Sequence, residues 1–581
     1  MERLRQRFRQ VWLADFEFGG ASGDPQQPRC VVAHEVFAGQ TVRLWESEMR
    51  GATRPPYPVS SDALFIAYYA SAELKCHLAL GWALPENVID LYAELRVLTN
   101  GVRLSAGSGL LGALTYFGLD AMSAVEKDAM RDLALRGGVY TDAERSALVA
   151  YCAQDVDALR RLLPVMLPSL DIDRALIRGD YMKALARMEH TGVPLDAEYL
   201  DLVRSEWSNI KLDLISRVDA DYGVFDGQSF KRDRFERFLA ERQIPWPRHP
   251  TGQPQLDEET FRTMARAFPV VAPLHELRVS LAQLRLADLE VGADGRNRTM
   301  LSAFSTRTSR NAPSTTRFVF GPAKWIRGFI KPGPGMGLAY IDFSSQEFGI
   351  SAVLSGDGQM LKSYATGDPH LAFAIGAGAA PADATKDTHG EVRDRFKACN
   401  LGVLYGMGPA TLGQRAALPT PYAKDLLRLH REMYPKYWRW SDGALDHALL
   451  LGELHTVFGW RIRVGPDARP ASLRNWPVQS TGAEILRLAA CMLTEAGISV
   501  CAPIHDAFLI EAPLELLDEY VRQARHLMVE AGRIVLGGFA LRTDETLIRY
   551  PARFSDKRGA KMWGEVASLI AARSGRQVGG T

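Results

Sequence analysis

The stretch Arg393–Gly408 reads RDRFKACNLGVLYGMG, and its spacing predicts one amphipathic helix that stops at a glycine-rich end. Arg393, Lys397, Leu401 and Tyr405 recur every four residues, so they share one slowly drifting face. That face offers two cations, then an apolar residue, then an aromatic ring. Cations suit a polyphosphate, and a ring suits a base or a sugar. Gly406 and Gly408 punctuate the end as C-terminal glycines do. A surface helix with its basic residues in water would show the same spacing, so the flanks decide.

Both flanks carry acids. Upstream, Leu338–Ala352 (LAYIDFSSQEFGISA) is an apolar strand that delivers Asp342 at its end, with Glu347 five residues later. Downstream, Val500–Glu511 (VCAPIHDAFLIE) reads as two short apolar strands with His505 and Asp506 at the turn between them. Aspartates at the ends of neighbouring strands suit a pair of Mg²⁺ ions, which in phosphoryl-transfer sites sit ~3.5–4 Å apart.

The remainder of the chain fits a large multidomain α/β protein. Its 581 residues allow three or four compact units, and 47% hydrophobic content supports sizeable cores. A net charge of +1 does not itself advertise a polyanionic partner. The distribution does: from Gly295 to Ile341 there are eight Lys or Arg residues and no Asp or Glu. Six cysteines without a CxxC pair read as reduced thiols, not as a disulfide framework or zinc site. The N-terminus lacks a signal-peptide apolar run and no stretch approaches a membrane span, so a cytoplasmic protein with no membrane partner is expected.

Near the N-terminus, Val11–Phe18 (VWLADFEF) is a short strand whose alternation puts Asp15 and Glu17 on one side. Ala143–Leu159 (AERSALVAYCAQDVDAL) is a helical pattern with Tyr151 and Asp155 one turn apart.

These patterns together resemble family A DNA polymerases, the group typified by bacterial DNA polymerase I. Asp342-Phe343-Ser344 with Glu347 resembles the family's motif A, Arg393…Lys397…Tyr405-Gly406 its motif B, and His505-Asp506 its motif C. The D-x-E strand with the Y-x-x-x-D helix resembles the DEDD 3′-5′ exonucleases. The resemblance implies a ribonuclease-H-like exonuclease domain over residues 1–170, then a right-hand polymerase domain over 171–581. Within the latter it implies a helical thumb (about 180–300), an antiparallel β palm (about 301–352 and 455–581) and helical fingers (about 353–454). No 5′-nuclease domain is expected.

The family's site residues carry over position by position. Asp342, Asp506 and the Phe343 carbonyl would hold two Mg²⁺ ions, with Mn²⁺ as a substitute. Glu347, His370, Arg393, Lys397, Leu401 and Tyr405 would contact the incoming dNTP. Arg310, Asn475, Gln479 and His505 would contact primer–template DNA. In the exonuclease, Asp15, Glu17, Glu73 and Asp155 would hold two ions while Tyr151 orients the attacking water; Asp90 competes with Glu73 for the fourth place. Asp342, Asp506, Lys397, Arg393 and Tyr151 are the expected catalytic residues. A monomer is expected, with an unidentified processivity factor as a further partner. The competing readings are a nuclease whose polymerase part only binds DNA, a single-subunit RNA polymerase, and a non-catalytic nucleic-acid binder. Two departures stand out: Ala507 replaces the usual motif C glutamate, and Leu401 stands where the family has an aromatic residue. Both, with the compact layout, point to a phage or phage-derived enzyme.

Overall fold

The computed structural model describes residues 1–574 except 121–123, 284, 285, 287, 417 and 467. Two compact units emerge. The first comprises Met1–Gly192, Met300–Ala312 and Leu338–Leu547; the second comprises Val193–Thr299, Pro313–Gly337 and Ile548–Thr581.

The first unit opens with a mixed five-stranded sheet: β1 (Gln10–Gly19), β2 (Gln27–Glu35), β3 (Thr41–Trp45), β4 (Ala63–Ala67) and β5 (Asn87–Asp90), in the order β3-β2-β1-β4-β5. β1–β2 and β2–β3 are antiparallel, whereas β1–β4 and β4–β5 are parallel. Helix α1 (Ser71–Leu80) lies between β4 and β5, and α2 (Leu91–Thr99) follows β5 directly. Both faces of β1 are covered, so its burial is nearly continuous instead of alternating. Val11 and Leu13 pack into a core shared with Leu148, Cys152 and Leu159 of α3 (Asp142–Met166), while Phe16 on the opposite face packs with Cys76 of α1. Helix α3 starts at a capping box in which Thr141 and Glu144 satisfy each other's amides. Helix α4 (Ile172–Thr191) packs on β5 and α1, so residues beyond the boundary expected near 170 remain part of this unit.

The rest of the first unit is built on a second sheet. Its strands are β6 (Met336–Phe343), β7 (Ser499–Ile504), β8 (Ala507–Pro513) and β9 (Thr543–Arg549), in the order β7-β8-β6-β9. The long, largely buried α8 (Pro470–Glu495) packs on β7 and α9 (Leu517–Val535) on β8; α5 (Gln346–Ser355) packs on α8, and α6 (Pro369–Gly376) packs on α7 (Gly390–Leu404). Pro503 is tolerated because β7 is the edge strand of this sheet. Among the described residues no helix is long and apolar enough to cross a membrane, and all six cysteines are buried and outside any disulfide.

The second unit is mainly helical, with cores built from aromatic rings such as Phe235, Trp246 and Phe261. It holds most of the region expected to be a thumb, and also the chain's last helix, Ala560–Ser574. That helix falls within residues 455–581, the span expected to belong to the palm. Its Trp563 seats against Phe329 (5.1 Å between ring centroids) and over Gly328. Residues 575–581 lie outside the described residues.

Candidate active sites

Two carboxylate sites lie in the first unit. In the first, strand β6 ends at Asp342-Phe343, and the Phe343 amide donates to the Asp506 carbonyl at 3.1 Å. Ile504 pairs with Ala507, so His505 and Asp506 are the two residues of a tight hairpin turn, and His505 takes a φ of 54°. Burial and the nearby Asp342 carboxylate push Asp506 up to about 6, against the opposing pull of its own amide and Arg310. Asp342 is likewise raised, first by burial and then by Asp544, while Lys397 draws it back. Each carboxylate thus resists ionising, first because burial removes water and then because another acid lies nearby.

Asp544, on β9, was not singled out by the sequence reading. It sits beside Asp342 and accepts a hydrogen bond from the Ser344 hydroxyl. No local pattern marks it; only the placement of β9 beside β6 brings it there.

Helix α7 delivers its expected face. Lys397 is exposed and close enough to Asp342 to stabilise that carboxylate's charge. Arg393 is engaged by Asp368, whose other oxygen caps α6 by accepting from the His370 and Leu371 amides. His370 is 5% exposed, and burial together with Arg393 lowers its pKa to about 4. Its Nδ1 accepts from the Asn400 amide group at 3.0 Å, so the neutral ring carries its proton on Nε2. Leu401 is half-buried, and Tyr405 follows the last helical residue. Gly406 has φ +65°, and a Cβ there would lie 2.7 Å from that of Ala471. Glu347, on the first turn of α5, accepts from Arg310 at 3.0 Å; burial first and then the Glu347 charge raise the pKa of Tyr405. Asn475 and Gln479 lie one turn apart on α8; Asn475 is buried, with no partner for its Oδ1 among the described residues.

The second site lies where β1 meets α3. Asp15 and Glu17 extend the row of Val11 and Leu13 on the face that α3 covers, so strand alternation aims them at Asp155. One oxygen from each of Asp15, Glu17 and Asp155 lies within 4.8 Å of the others. Tyr151, one turn before Asp155, has a raised pKa from burial and from the Asp155 and Glu17 charges. Glu73, 4% exposed on α1, is raised well above the carboxylate range by burial first and then by Asp15. Asp90 has one oxygen engaged by amides and the other, Oδ2, buried without a hydrogen-bond partner. It caps α2, accepting from Tyr92 N at 2.9 Å and from Tyr69 N at 2.8 Å.

The donor sets fit divalent cations. Asp15 Oδ2 and Glu73 Oε2 are buried without a hydrogen-bond partner, a costly state for carboxylates that a cation would relieve. Asp342 and Asp506 are raised by burial and then by a neighbouring acid, a state a cation would also relieve, and they present oxygens at neighbouring strand ends.

Comparison with known proteins finds a family profile, several relatives and a shared fold. The sequence profile described as "DNA polymerase family A" matches residues 302–538. The thermostable DNA polymerase I of Thermus aquaticus is 29% identical over 377 residues, covering 59% of this chain and 44% of that protein. The DNA polymerase of Mycobacterium phage D29 is 26% identical over 409 residues, covering 67% of this chain and 66% of that one. The chain thus matches less than half the length of the Thermus relative. Among solved structures, the POL domain of Pol1 from M. smegmatis, in complex with DNA primer-template and dNTP, shares the fold. Its TM-score is 0.72 at 18% identity, with 94% of this chain and 96% of that chain covered.

Proposed function

We propose, on the premise that the chain belongs to DNA polymerase family A through residues 302–538, that it extends a DNA primer from dNTPs and trims 3′ ends at its second site. The observation that carries the first activity is the pairing of Asp342 and Asp506 at adjacent strand ends, faced by Lys397. Asp342, Asp506 and the Phe343 carbonyl would hold Mg²⁺, which when bound lowers the pKa of the primer 3′-hydroxyl and offsets triphosphate charge.

The chain's own groups do the rest. Lys397 and Arg393 meet the charge that builds on the leaving pyrophosphate, once Arg393 shares or leaves Asp368. His370 donates from Nε2 to a phosphate oxygen. Tyr405 and Leu401 pack against the nascent base pair, and Gly406 lets the helix end lie against Ala471. Glu347 occupies the space a ribose 2′-hydroxyl would need. An unpaired buried polar group costs about 1–3 kcal/mol, and about 1.4 kcal/mol is tenfold in rate, so discrimination of a decade or more against rNTPs follows. Arg310, Asn475, Gln479 and His505 contact the primer–template. The trimming activity is supported by the convergence of Asp15, Glu17 and Asp155, with Glu73 as fourth ligand and Tyr151 orienting water. The chain acts as a monomer in the cytoplasm of a bacterium or a phage-infected host.

Primer extension with dNTPs and with rNTPs, run beside degradation of a mismatched 3′ end, tests this reading. dNTP-dependent extension that Asp342→Ala removes is expected. Equal use of rNTPs would favour an RNA polymerase, and degradation without any extension would favour a nuclease that only binds DNA.

A further inference from the structure

The segment 301–311, which ends at Arg310-Asn311, has an unusual backbone. Ser302, Phe304 and Ser309 take φ values of 52°, 55° and 61°, left-handed conformations that are costly for residues with a Cβ. Three such residues within eight persist only where the surroundings over-determine them.

Much of that constraint comes from the N-terminal sheet domain. Tyr92, Arg96 and Asn100 recur every four residues along α2 and its C-cap, so they share one face. Arg96 donates from Nε to the Phe304 carbonyl and from Nη2 to the Ser305 carbonyl, each at 3.1 Å. Asn100 Nδ2 donates to the Arg307 carbonyl at 2.8 Å and to the Arg461 carbonyl at 2.7 Å. The Tyr92 hydroxyl lies 3.4 Å from Ser305 Oγ, and the Tyr69 hydroxyl accepts from the Ala303 amide at 3.3 Å. Helix α2 is itself fixed, because its buried Glu94 forms a two-pronged pair with buried Arg178 of α4.

From the other side, the indoles of Trp460 and Trp476 donate to the Arg307 carbonyl at 3.1 and 2.8 Å, and Arg487 donates to the Ser309 carbonyl at 3.0 Å. The free end of the clamped segment is Arg310, which reaches Glu347 at 3.0 Å and acts on Asp506.

We propose that Arg96 and Asn100, side chains of the N-terminal domain, are positioning residues of the polymerase site. They hold the 301–311 backbone so that Arg310 meets Glu347 and the primer end. Arg96 gives two parallel bonds to two successive carbonyls, which fixes the direction of the peptide planes and not only their distance. The N-terminal domain therefore contributes to nucleotide addition even when its own carboxylates are disabled. The inference rests on the polymerase reading above.

The test uses the full chain and the variants Arg96→Ala, Arg96→Lys, Asn100→Ala, Arg310→Ala and the Arg96→Ala/Arg310→Ala double variant. Misplacement of a contact by about an ångström costs up to about a hundredfold, so Arg96→Ala should lower kcat/KM for dNTPs by about tenfold or more. It should also narrow the dNTP-to-rNTP ratio, because Glu347 loses its partner. Arg96→Lys should recover part of both. The double variant should be no worse than Arg310→Ala alone, since both act through one side chain. Hydrogen exchange of the 301–311 amides should quicken in Arg96→Ala and Asn100→Ala at unchanged melting temperature. Losses that multiply in the double variant, or unchanged exchange and kinetics, overturn the proposal. Should Arg96→Ala fail to fold, Arg96→Lys and Asn100→Ala decide by the same two readouts. Wild-type protein that extends no primer refutes the polymerase reading instead, and the exchange data still judge the clamp.

Discussion

Single residues divide here according to what surrounds them. Glu73 and Asp90 are both acids near the same sheet edge, each with one buried oxygen without a partner, yet Asp90 holds two amides with its other oxygen whereas Glu73 lies in the field of Asp15 and Asp155. Glu73→Ala should therefore cut 3′-end degradation by a large factor. Asp90→Ala should instead lower the melting temperature, as loss of a helix cap costs about 0.5–2 kcal/mol. Reversed effects on degradation would move the ligand to Asp90. Asp506 supplies a pH signature. Its folded value of about 6 lies above the ordinary 3.8 of an aspartate, so the folded state binds its proton more tightly than the unfolded chain. The stability this gives is complete below the unfolded value and is lost as pH rises through about 6. In chelator, Asp506→Asn should therefore match the wild type near pH 4 and exceed it above pH 6, by on the order of 2–3 kcal/mol. A gap that stays constant across that window would contradict the assignment.

Elements show how local rules and crowding combine. Helix α7 ends where its sequence says, because Gly406 alone among common residues accepts φ +65° without strain and lets the chain pass Ala471. Gly406→Ala should cost about 1–2 kcal/mol for the left-handed backbone, with the 2.7 Å overlap adding to it. Thermal unfolding would read the loss, and primer extension should fall with it. A variant as stable and active as the wild type would mean the helix end can move aside. Helix α2 is the counterpart. Its Tyr92, Arg96 and Asn100 form a polar row that a sequence reader would assign to solvent, whereas the fold turns that row onto the backbone of another segment.

At the scale of the molecule, each proposed activity has its own carboxylates, so the two should separate by mutation. Asp342→Ala or Asp506→Ala should abolish extension and leave 3′-end degradation, while Asp15→Ala with Glu17→Ala should do the opposite. Folded protein that loses both functions from one pair of changes would refute the two-site assignment. Separable chemistry does not imply separable folding. The N-terminal sheet and the β6–β9 sheet lie in one compact unit, joined through α4 and the clamp on 301–311.

Local order was legible in the chain itself. Strand alternation placed Asp15 and Glu17 together, the hairpin turn put Asp506 at a strand end, the four-residue repeat aligned Arg393 with Tyr405, and glycine stopped the helix. These patterns depend on residues a few positions apart, where backbone periodicity and capping act. Tertiary structure alone decided the rest. Asp544 joins Asp342 because β9 lies beside β6, and the Ser344–Asp544 bond spans 200 residues of chain. Asp90 is a cap and Glu73 a candidate ligand because of which amides happen to face them. The last helix joins the second unit through Trp563. Sheet neighbours and side-chain bonds to distant carbonyls leave no period in the sequence, since the spacing between partners is set by the fold that brings them together.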